Sequence, residues 1–145
     1  MTTTGVGKTW LACALGAQAC RLDIPTVCYR ASDLYGAIAE AHLDGSLPKL
    51  KKTLIKPMLL ILDDFGLGEI TSQTAQFLLD VIDRRMRTGS LLITSQFATD
   101  QWQGLFPEPT IADAILDRVV HQAHRLVLKG DSMRKLRARD QMKGK

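Results

Sequence analysis

A short glycine-containing segment near the N-terminus has the composition of a phosphate-binding loop. Gly5-Val6-Gly7-Lys8-Thr9 runs directly into a helix-forming stretch rich in Ala and Leu. Glycines let the backbone approach phosphate oxygens closely, and the N–H groups at a helix N-terminus carry partial positive charge. In such a loop Lys8 reaches the β- and γ-phosphates, and the Thr9 hydroxyl is a Mg²⁺ ligand. The full pattern begins with a further glycine that is absent here, so a simple flexible turn is the alternative.

Two adjacent carboxylates follow an apolar run in the middle of the chain. Residues 58–62 are continuously apolar, which is typical of a strand covered on both faces, and Asp63 and Asp64 come directly after them. Phosphoryl transfer needs one carboxylate beside the metal and one beside the attacking water. Asp63 fits the first role and Asp64 the second. An Asp that merely forms the turn after a buried strand is the alternative, which the upstream loop makes the weaker interpretation.

A second β-prone run ends in consecutive polar residues. Residues 91–93 are apolar, and Thr94, Ser95 and Gln96 follow them. Ligands of an open parallel sheet bind beyond the carboxyl ends of its strands, so these groups are expected to face the terminal phosphate. A polar strand end without a ligand is the alternative.

Two arginines are candidates for neutralising the charge that develops during phosphoryl transfer. These are Arg118 and Arg134. An arginine supplied by a neighbouring subunit accelerates such reactions by several orders of magnitude. A salt bridge from Arg118 to nearby Asp residues, or plain solvation of either side chain, is the alternative.

Helical patterns and short apolar runs alternate along the chain and must position these groups. The helical segments are residues 7–22, 32–41 with Ser32 as the N-cap, 71–89 opened by Thr71, and a last one capped by Thr110. The strand-like segments are residues 26–29, 58–62, 91–94 and 125–128. This alternation predicts an α/β fold in which helices cover both faces of a parallel sheet, a three-layer sandwich.

Length and composition fit one globular domain over residues 1–145. The chain is 46% hydrophobic and 23% charged, and no apolar run approaches the roughly 18 residues of a membrane span. Three cysteines without ligand-like spacing favour a reduced, cytoplasmic protein. The net charge of +4 arises from a basic tail at 129–145, which has five more basic than acidic residues. Such a tail indicates a nucleic-acid contact or a solvated chain end.

Taken together, these segments resemble the IstB family of transposition helper ATPases, relatives of the DnaC helicase loaders in the AAA+ class. The matching segments are residues 4–12, 60–67, 93–96, 113–118 and 128–135. The resemblance implies a P-loop NTPase fold, ATP and Mg²⁺ as cofactors, and ATP hydrolysis. It also implies a homo-oligomer assembled on double-stranded DNA and cooperation with a transposase.

The resemblance also assigns roles to single residues. The loop that contains Lys8 corresponds to the Walker A motif, and Asp63 and Asp64 correspond to the Walker B pair. Ser95 and Gln96 match the first sensor region. Gln96 stands where helicase loaders often have Asn, which favours the transposition branch.

The resemblance gives the two arginines different positions relative to the nucleotide. Arg118 resembles an arginine finger that acts across a subunit interface, and Arg134 resembles the second sensor, which acts within its own subunit. A helicase loader remains the alternative with the same chemistry. A non-catalytic fragment that binds DNA through its basic tail is the alternative from another class.

The chain departs from the family at its start, because family members have a DNA-interacting region and then a buried strand before the phosphate loop. That first strand lies inside the family's sheet, between the fourth and fifth strands. Its absence removes roughly 8–15 kcal/mol, at ~1.5–3 kcal/mol for each of about five buried side chains. A domain is stable by only about 5–15 kcal/mol. We therefore expect a marginally stable chain and a poor ATPase.

Overall fold

The computed structural model describes residues 8–121, and among them the side chains of residues 9–120. Helices and strands alternate as the sequence predicts. In chain order they are α1 (Lys8–Arg21), β1 (Thr26–Arg30), α2 (Ala31–Asp44), α3 (Leu47–Ile55), β2 (Leu59–Asp63), α4 (Ser72–Thr88), β3 (Ser90–Ile93), a 3₁₀ helix (Thr99–Leu105) and α5 (Pro109–His121).

The three strands form one parallel sheet with β2 in the centre. The order is β1-β2-β3, and the register pairs Ile61 with Cys28 on one side and with Leu92 on the other. Because parallel strands end at the same edge, the last residues Arg30, Asp63 and Ile93 all lie at the carboxyl edge, and Arg30 pairs directly with Asp63. The α/β class with a parallel sheet is confirmed. Within residues 8–121, no strand pairs with the outer edge of β3.

Alternate residues of β2 face different helices. Leu60 and Leu62 belong to the main core cluster, together with buried side chains of α2, α4 and α5. Ile61 points to the other face, where α1 crosses closely: a Cβ added to Gly16 would lie 3.1 Å from Ile61 Cδ1. The continuous apolar run is therefore covered from both sides, as a central parallel strand requires.

The ends of α4 agree with the sequence, whereas two predicted helix caps are wrong. Thr71 Oγ1 accepts a hydrogen bond from Thr74 N at 3.2 Å, so Thr71 is the N-cap of α4. Ser32 is not a cap, because β1 runs directly into α2 and leaves the extended Arg30 at the N-cap. Thr110 is not a cap either, because α5 already begins at Pro109, whose fixed φ and missing N–H suit the first helical position.

One helix was not predicted and one strand boundary differs from the prediction. The additional helix is α3, which carries Pro48 in its first turn and buries Leu54. The central strand is Leu59–Asp63 and not 58–62, which makes Asp63 the last residue of the strand. The predicted strand at 125–128 lies outside the described residues. No helix in the described part of the chain has the length and apolar character to cross a membrane.

Candidate functional site

The centre of the candidate site is Asp63, which is buried at the carboxyl end of β2. Thr9 Oγ1 donates to Asp63 Oδ2 at 3.0 Å and to Oδ1 at 3.3 Å. The Thr94 hydroxyl also donates to Asp63 Oδ1. Two hydroxyl groups, from the first turn of α1 and from the end of β3, thus meet on one carboxylate.

This meeting follows from the register of the sheet. Leu62 pairs with Ile93, so the next residues along the two strands, Asp63 and Thr94, are neighbours at the same edge. The first turn of α1 lies at this edge too, since Thr9 is its second residue. The free N–H groups of a helix N-terminus favour negative charge, so the edge suits a carboxylate or a phosphate.

Asp64 is held in an unusual backbone conformation beside Asp63. Its φ is 55°, in the left-handed region that Asp tolerates better than most residues. Asp64 N donates to Thr94 Oγ1 at 3.0 Å, which fixes the main chain there. Asp64 Oδ2 lies 3.8 Å from Arg30 Nη2, and the Arg30 side chain is 61% exposed. The carboxylate therefore lies toward the exposed Arg30 side chain at the end of β1.

The fully buried Ser95 supports the turn that follows Asp64. Its hydroxyl donates to Phe65 O at 2.7 Å and accepts from Phe97 N at 3.1 Å. Phe65 N in turn donates to Thr94 O at 2.8 Å. The hydroxyl of Ser95 thus forms hydrogen bonds with the main chain of the site. Gln96 follows it at the same end of the sheet and is half-buried.

Tyr35 of α2 holds the next residue of the turn. Gly66 N donates to the Tyr35 hydroxyl oxygen at 3.3 Å, and burial raises the pKa of Tyr35 to about 12. Gly66 has a φ of 97°, and an added Cβ would lie 2.8 Å from Leu105 Cδ1 and 2.9 Å from Phe97 Cδ2. Only glycine fits this position, so the turn after the two carboxylates has one tightly defined path.

Arg118 is a residue of α5, and its side chain contacts α4. Its hydrogen-bond partners are not at the carboxyl edge. Arg118 Nε donates to Asp83 Oδ1 at 2.8 Å, and Arg118 Nη1 donates to Ala114 O at 2.9 Å. The hydrogen bond from Arg118 lowers the pKa of Asp83, with help from its positive charge. A salt bridge of Arg118 was the alternative that the sequence left open, but its partner is Asp83 of α4 and not an Asp nearby in the chain. The pair holds the guanidinium against its own chain.

The structure thus brings Thr9, Asp63, Asp64 and Ser95 together at one edge, with Gln96 next to them in the chain. Lys8 begins α1, but its side chain lies outside the described part. The predicted residues Gly5, Val6, Gly7 and Arg134, and the tail at 129–145, also lie outside it.

One residue of this edge was not selected from the sequence, and the contacts of another were not predicted. The sequence selected Thr94 as a polar group expected to face the terminal phosphate, whereas in the structure it bonds both carboxylate residues. Arg30 reaches Asp64 only because β1 and β2 are neighbours, and nothing in the local sequence distinguishes it from an ordinary charged strand end.

Comparison with known families decides which kind of protein carries this arrangement. The family model described as IstB-like ATP binding protein matches residues 1–141. The chain belongs to this family.

Two relatives of this IstB-like chain are named as ATP-binding proteins of insertion sequences. It is 46% identical over 134 residues to an insertion sequence ATP-binding protein of Sinorhizobium fredii, covering 92% of the chain and 54% of the relative. It is 37% identical over 131 residues to an ATP-binding protein in an insertion sequence of Mycobacterium tuberculosis, covering 90% of the chain and 52% of the relative. The IstB-like chain therefore spans about half the length of these relatives.

Solved structures show the same fold. The crystal structure of DnaI matches with a TM-score of 0.77 at 19% identity, covering 88% of this chain and 70% of DnaI. AMPPCP-bound DnaA from Aquifex aeolicus matches with a TM-score of 0.77 at 16% identity, covering 99% of this chain and 43% of DnaA. The predicted P-loop NTPase fold of the AAA+ class is confirmed.

Proposed function

We propose that this IstB-like chain is the nucleotide-binding part of a helper ATPase for DNA transposition. In this proposal it binds MgATP and DNA, forms homo-oligomers and acts with a transposase. The meeting of Thr9 and Asp63, 3.0 Å apart at the first turn of α1, carries the proposal. A hydroxyl at the start of the helix after a phosphate loop, facing a carboxylate at a strand end, is the arrangement that MgATP requires. The insertion-sequence relatives support the role in transposition.

The residues of the carboxyl edge fit a magnesium ion. Mg²⁺ prefers oxygen ligands and is usually held by one or two carboxylates together with substrate phosphates. Thr9 Oγ1 and Asp63 supply a hydroxyl and a carboxylate in hydrogen-bonding contact. When bound there, Mg²⁺ would neutralise phosphate charge during hydrolysis.

The other residues divide the remaining work. The segment from Gly5 to Gly7 and Lys8 bind the phosphates. Asp64 orients the attacking water and accepts its proton, and the bonds of Thr94 and Ser95 hold its backbone in place. Gln96 contacts the terminal phosphate.

The two arginines act on the transferred phosphate from opposite sides of a subunit interface. Arg118 completes the site of a neighbouring subunit, and its ion pair with Asp83 on its own chain fixes the direction in which the guanidinium is presented. Arg134 acts within its own subunit.

Thermal unfolding with and without MgATP tests the nucleotide-binding part of the proposal. A ligand that binds only the folded state stabilises it by about 2.7 kcal/mol at a hundredfold excess over Kd. We expect MgATP to raise the unfolding temperature of the wild type, and not of Lys8→Ala or Thr9→Ala. Thr88→Ala, at the exposed end of α4, is the matched control and keeps the shift. If fluorescent ATP binding and the unfolding temperature show no nucleotide dependence in the wild type, the proposal is wrong.

The partner separates this function from that of a helicase loader, which would use the same nucleotide chemistry. Co-purification with a transposase supports the proposal. Co-purification with the replicative helicase instead would assign the chain to helicase loading.

A further inference from the structure

Three lysines form a stripe along the outer side of α3. Lys49, Lys52 and Lys56, called here the α3 lysine stripe, are all exposed, and Lys56 continues the helical path as the C-cap residue. Their spacing of three and four residues places them on one side of the helix. At 1.5 Å per residue the stripe is about 10 Å long. The apolar residues Leu50 and Leu54 take the side that faces the core.

Lys51, a fourth lysine on the same helix, has contacts that give it a structural role and that the stripe lacks within the described part of the chain. Lys51 Nζ lies 3.2 Å from Asp80 Oδ2 and 5.5 Å from the centre of the Phe77 ring, and its side chain is only 24% exposed. The members of the stripe form no ion pair with any residue between 8 and 121. The sequence has no Asp or Glu from 45 to 62, so nothing local neutralises them.

The helix dipole explains only part of this pattern. Positive charge is favourable near a helix C-terminus, which accounts for Lys52 and Lys56. Lys49, however, lies in the first turn of α3, where the dipole disfavours a cation, and that turn holds no acidic residue. Like charges three and four residues apart also repel each other. The stripe therefore costs the isolated helix stability, and a polyanion would compensate that cost.

We infer that the α3 lysine stripe binds the phosphate backbone of DNA. This inference rests on the proposed function, which makes DNA the polyanion that the chain meets. Duplex DNA carries one negative charge per about 1.7 Å of axis, so a stripe of this length faces several phosphates. Ammonium groups on flexible stems contact phosphates without reading bases. The stripe thus supplies affinity without sequence specificity.

The salt dependence of binding to a duplex oligonucleotide tests the inference. Three lost phosphate contacts lower the slope of log K against log salt by about 2.7. Between about 50 and 200 mM salt, the wild type should therefore lose about 40-fold more affinity than Lys49→Gln/Lys52→Gln/Lys56→Gln. The three Lys→Arg substitutions keep the charge and should keep the wild-type slope. Lys49→Gln alone is the mildest variant and should lower the slope by about 0.9.

A matched control removes the same charge elsewhere. Arg21→Gln/Arg84→Gln/Arg87→Gln changes exposed residues at the ends of α1 and α4 and should bind DNA with the wild-type slope. If this control loses as much slope as the stripe variant, the effect is one of net charge and the inference is wrong.

Two other outcomes also overturn the inference. If the stripe variant keeps the wild-type slope while deletion of residues 136–145 abolishes binding, the basic tail is the contact. If the wild type does not bind DNA, the DNA part of the proposed function fails together with the stripe. The shift of the unfolding temperature by MgATP, measured for every variant, shows independently whether the nucleotide site is intact.

Discussion

The two edges of the parallel sheet are built on opposite principles. At the carboxyl edge, polar side chains bond to one another: Thr9 and Thr94 to Asp63, and Arg30 to Asp64. At the amino edge, one fully buried arginine of α4, Arg85, bonds only to main-chain carbonyls. Its acceptors are the carbonyl oxygens of Leu54, Ile55, Pro57, Met58 and Ser90, at 2.6 to 3.1 Å.

The polar groups of the carboxyl edge can exchange their hydrogen-bond partners, whereas Arg85 at the amino edge cannot. The hydroxyls and carboxylates at the carboxyl edge can release one another for a metal ion, a phosphate or water, because each is a ligand in its own right. The guanidinium at the amino edge joins the end of α3 to the starts of β2 and β3, and it satisfies main-chain carbonyls of all three elements at once. Burial lowers the pKa of Arg85. One edge is thus suited to chemistry and the other to holding the strands in register.

The largest effect is expected at the amino edge. Arg85→Met removes five hydrogen bonds from a buried charged group to main-chain carbonyls, among them the buried bond to Leu54 O. Loss of this network should lower the free energy of unfolding by about 4 kcal/mol or more. The denaturant midpoint measures this loss. Arg84→Met changes the exposed neighbour and should stay within about 0.5 kcal/mol of the wild type. Equal midpoints for the two variants would remove the contrast between the edges.

The next effect concerns activity at the carboxyl edge. Asp64→Asn keeps the shape but removes the proton acceptor, so kcat for ATP hydrolysis should fall about 100-fold while MgATP still raises the unfolding temperature. Phosphate release measures kcat. Glu40→Gln, an exposed change on α2, is the control and should leave kcat unchanged. An Asp64→Asn variant with wild-type kcat would show that another group activates the water.

A pH titration tests the turn beside the carboxylates. Tyr35 has a pKa raised to about 12 in the folded chain by burial, compared with an ordinary value of 10.0. The folded state therefore holds this proton more tightly than the unfolded state does. The resulting stability is fully present below pH 10.0 and is lost as the pH rises toward about 12. The loss should reach about 2 kcal/mol in alkaline unfolding curves. Tyr35→Phe should lack this dependence, and an identical curve for that variant would contradict the assignment.

A smaller effect is expected at Thr94. Thr94→Val keeps the volume but removes the hydroxyl that donates to Asp63 and accepts from Asp64 N. We expect a loss of about 1–2 kcal/mol in the free energy of unfolding. Thr94→Ser retains the hydroxyl and should recover most of this loss in the same denaturant titration. If the Val and Ser variants are equally stable, the hydroxyl does not hold this edge together.

The smallest effect is expected at Arg30. Its ion pair with Asp64 is 3.8 Å long and its side chain is 61% exposed, so Arg30→Ala should change the free energy of unfolding by less than about 1 kcal/mol. The change should shrink further at high salt. A loss of the size expected for Arg85→Met would mean that the carboxyl edge is as rigidly locked as the amino edge.

Local sequence patterns predict the helices and strands that depend mainly on neighbouring residues in the chain. The apolar run before Asp63 and Asp64 identified the central strand and the candidate carboxylates, because a buried parallel strand needs no alternation. The periodic apolar residues after Thr71 likewise identified α4. The alternation of helical and strand-like segments along the chain was enough to predict the fold class, which the sheet confirms.

Contacts between distant residues could not be predicted in the same way. Thr94 lies 31 residues from Asp63, and their contact depends on the register between β2 and β3, which the sequence does not specify. Arg85 was hidden for another reason: it lies among Arg84 and Arg87 and looks like part of an exposed basic helix end. Its spacing from Leu78 and Ile82 places it on the buried side of α4. That periodicity was the available signal.

The bonding of Arg85 also determines which positions of the amino edge can change over evolutionary time. All of its acceptors are main-chain atoms, so residues 54, 55, 57, 58 and 90 can be substituted without loss of any of these hydrogen bonds. Gly89 has no such freedom, because an added Cβ would lie 2.7 Å from Arg85 Nη2 and 3.0 Å from Met58 O. We therefore expect Arg85 and Gly89 to change together or not at all, while the side chains around them vary.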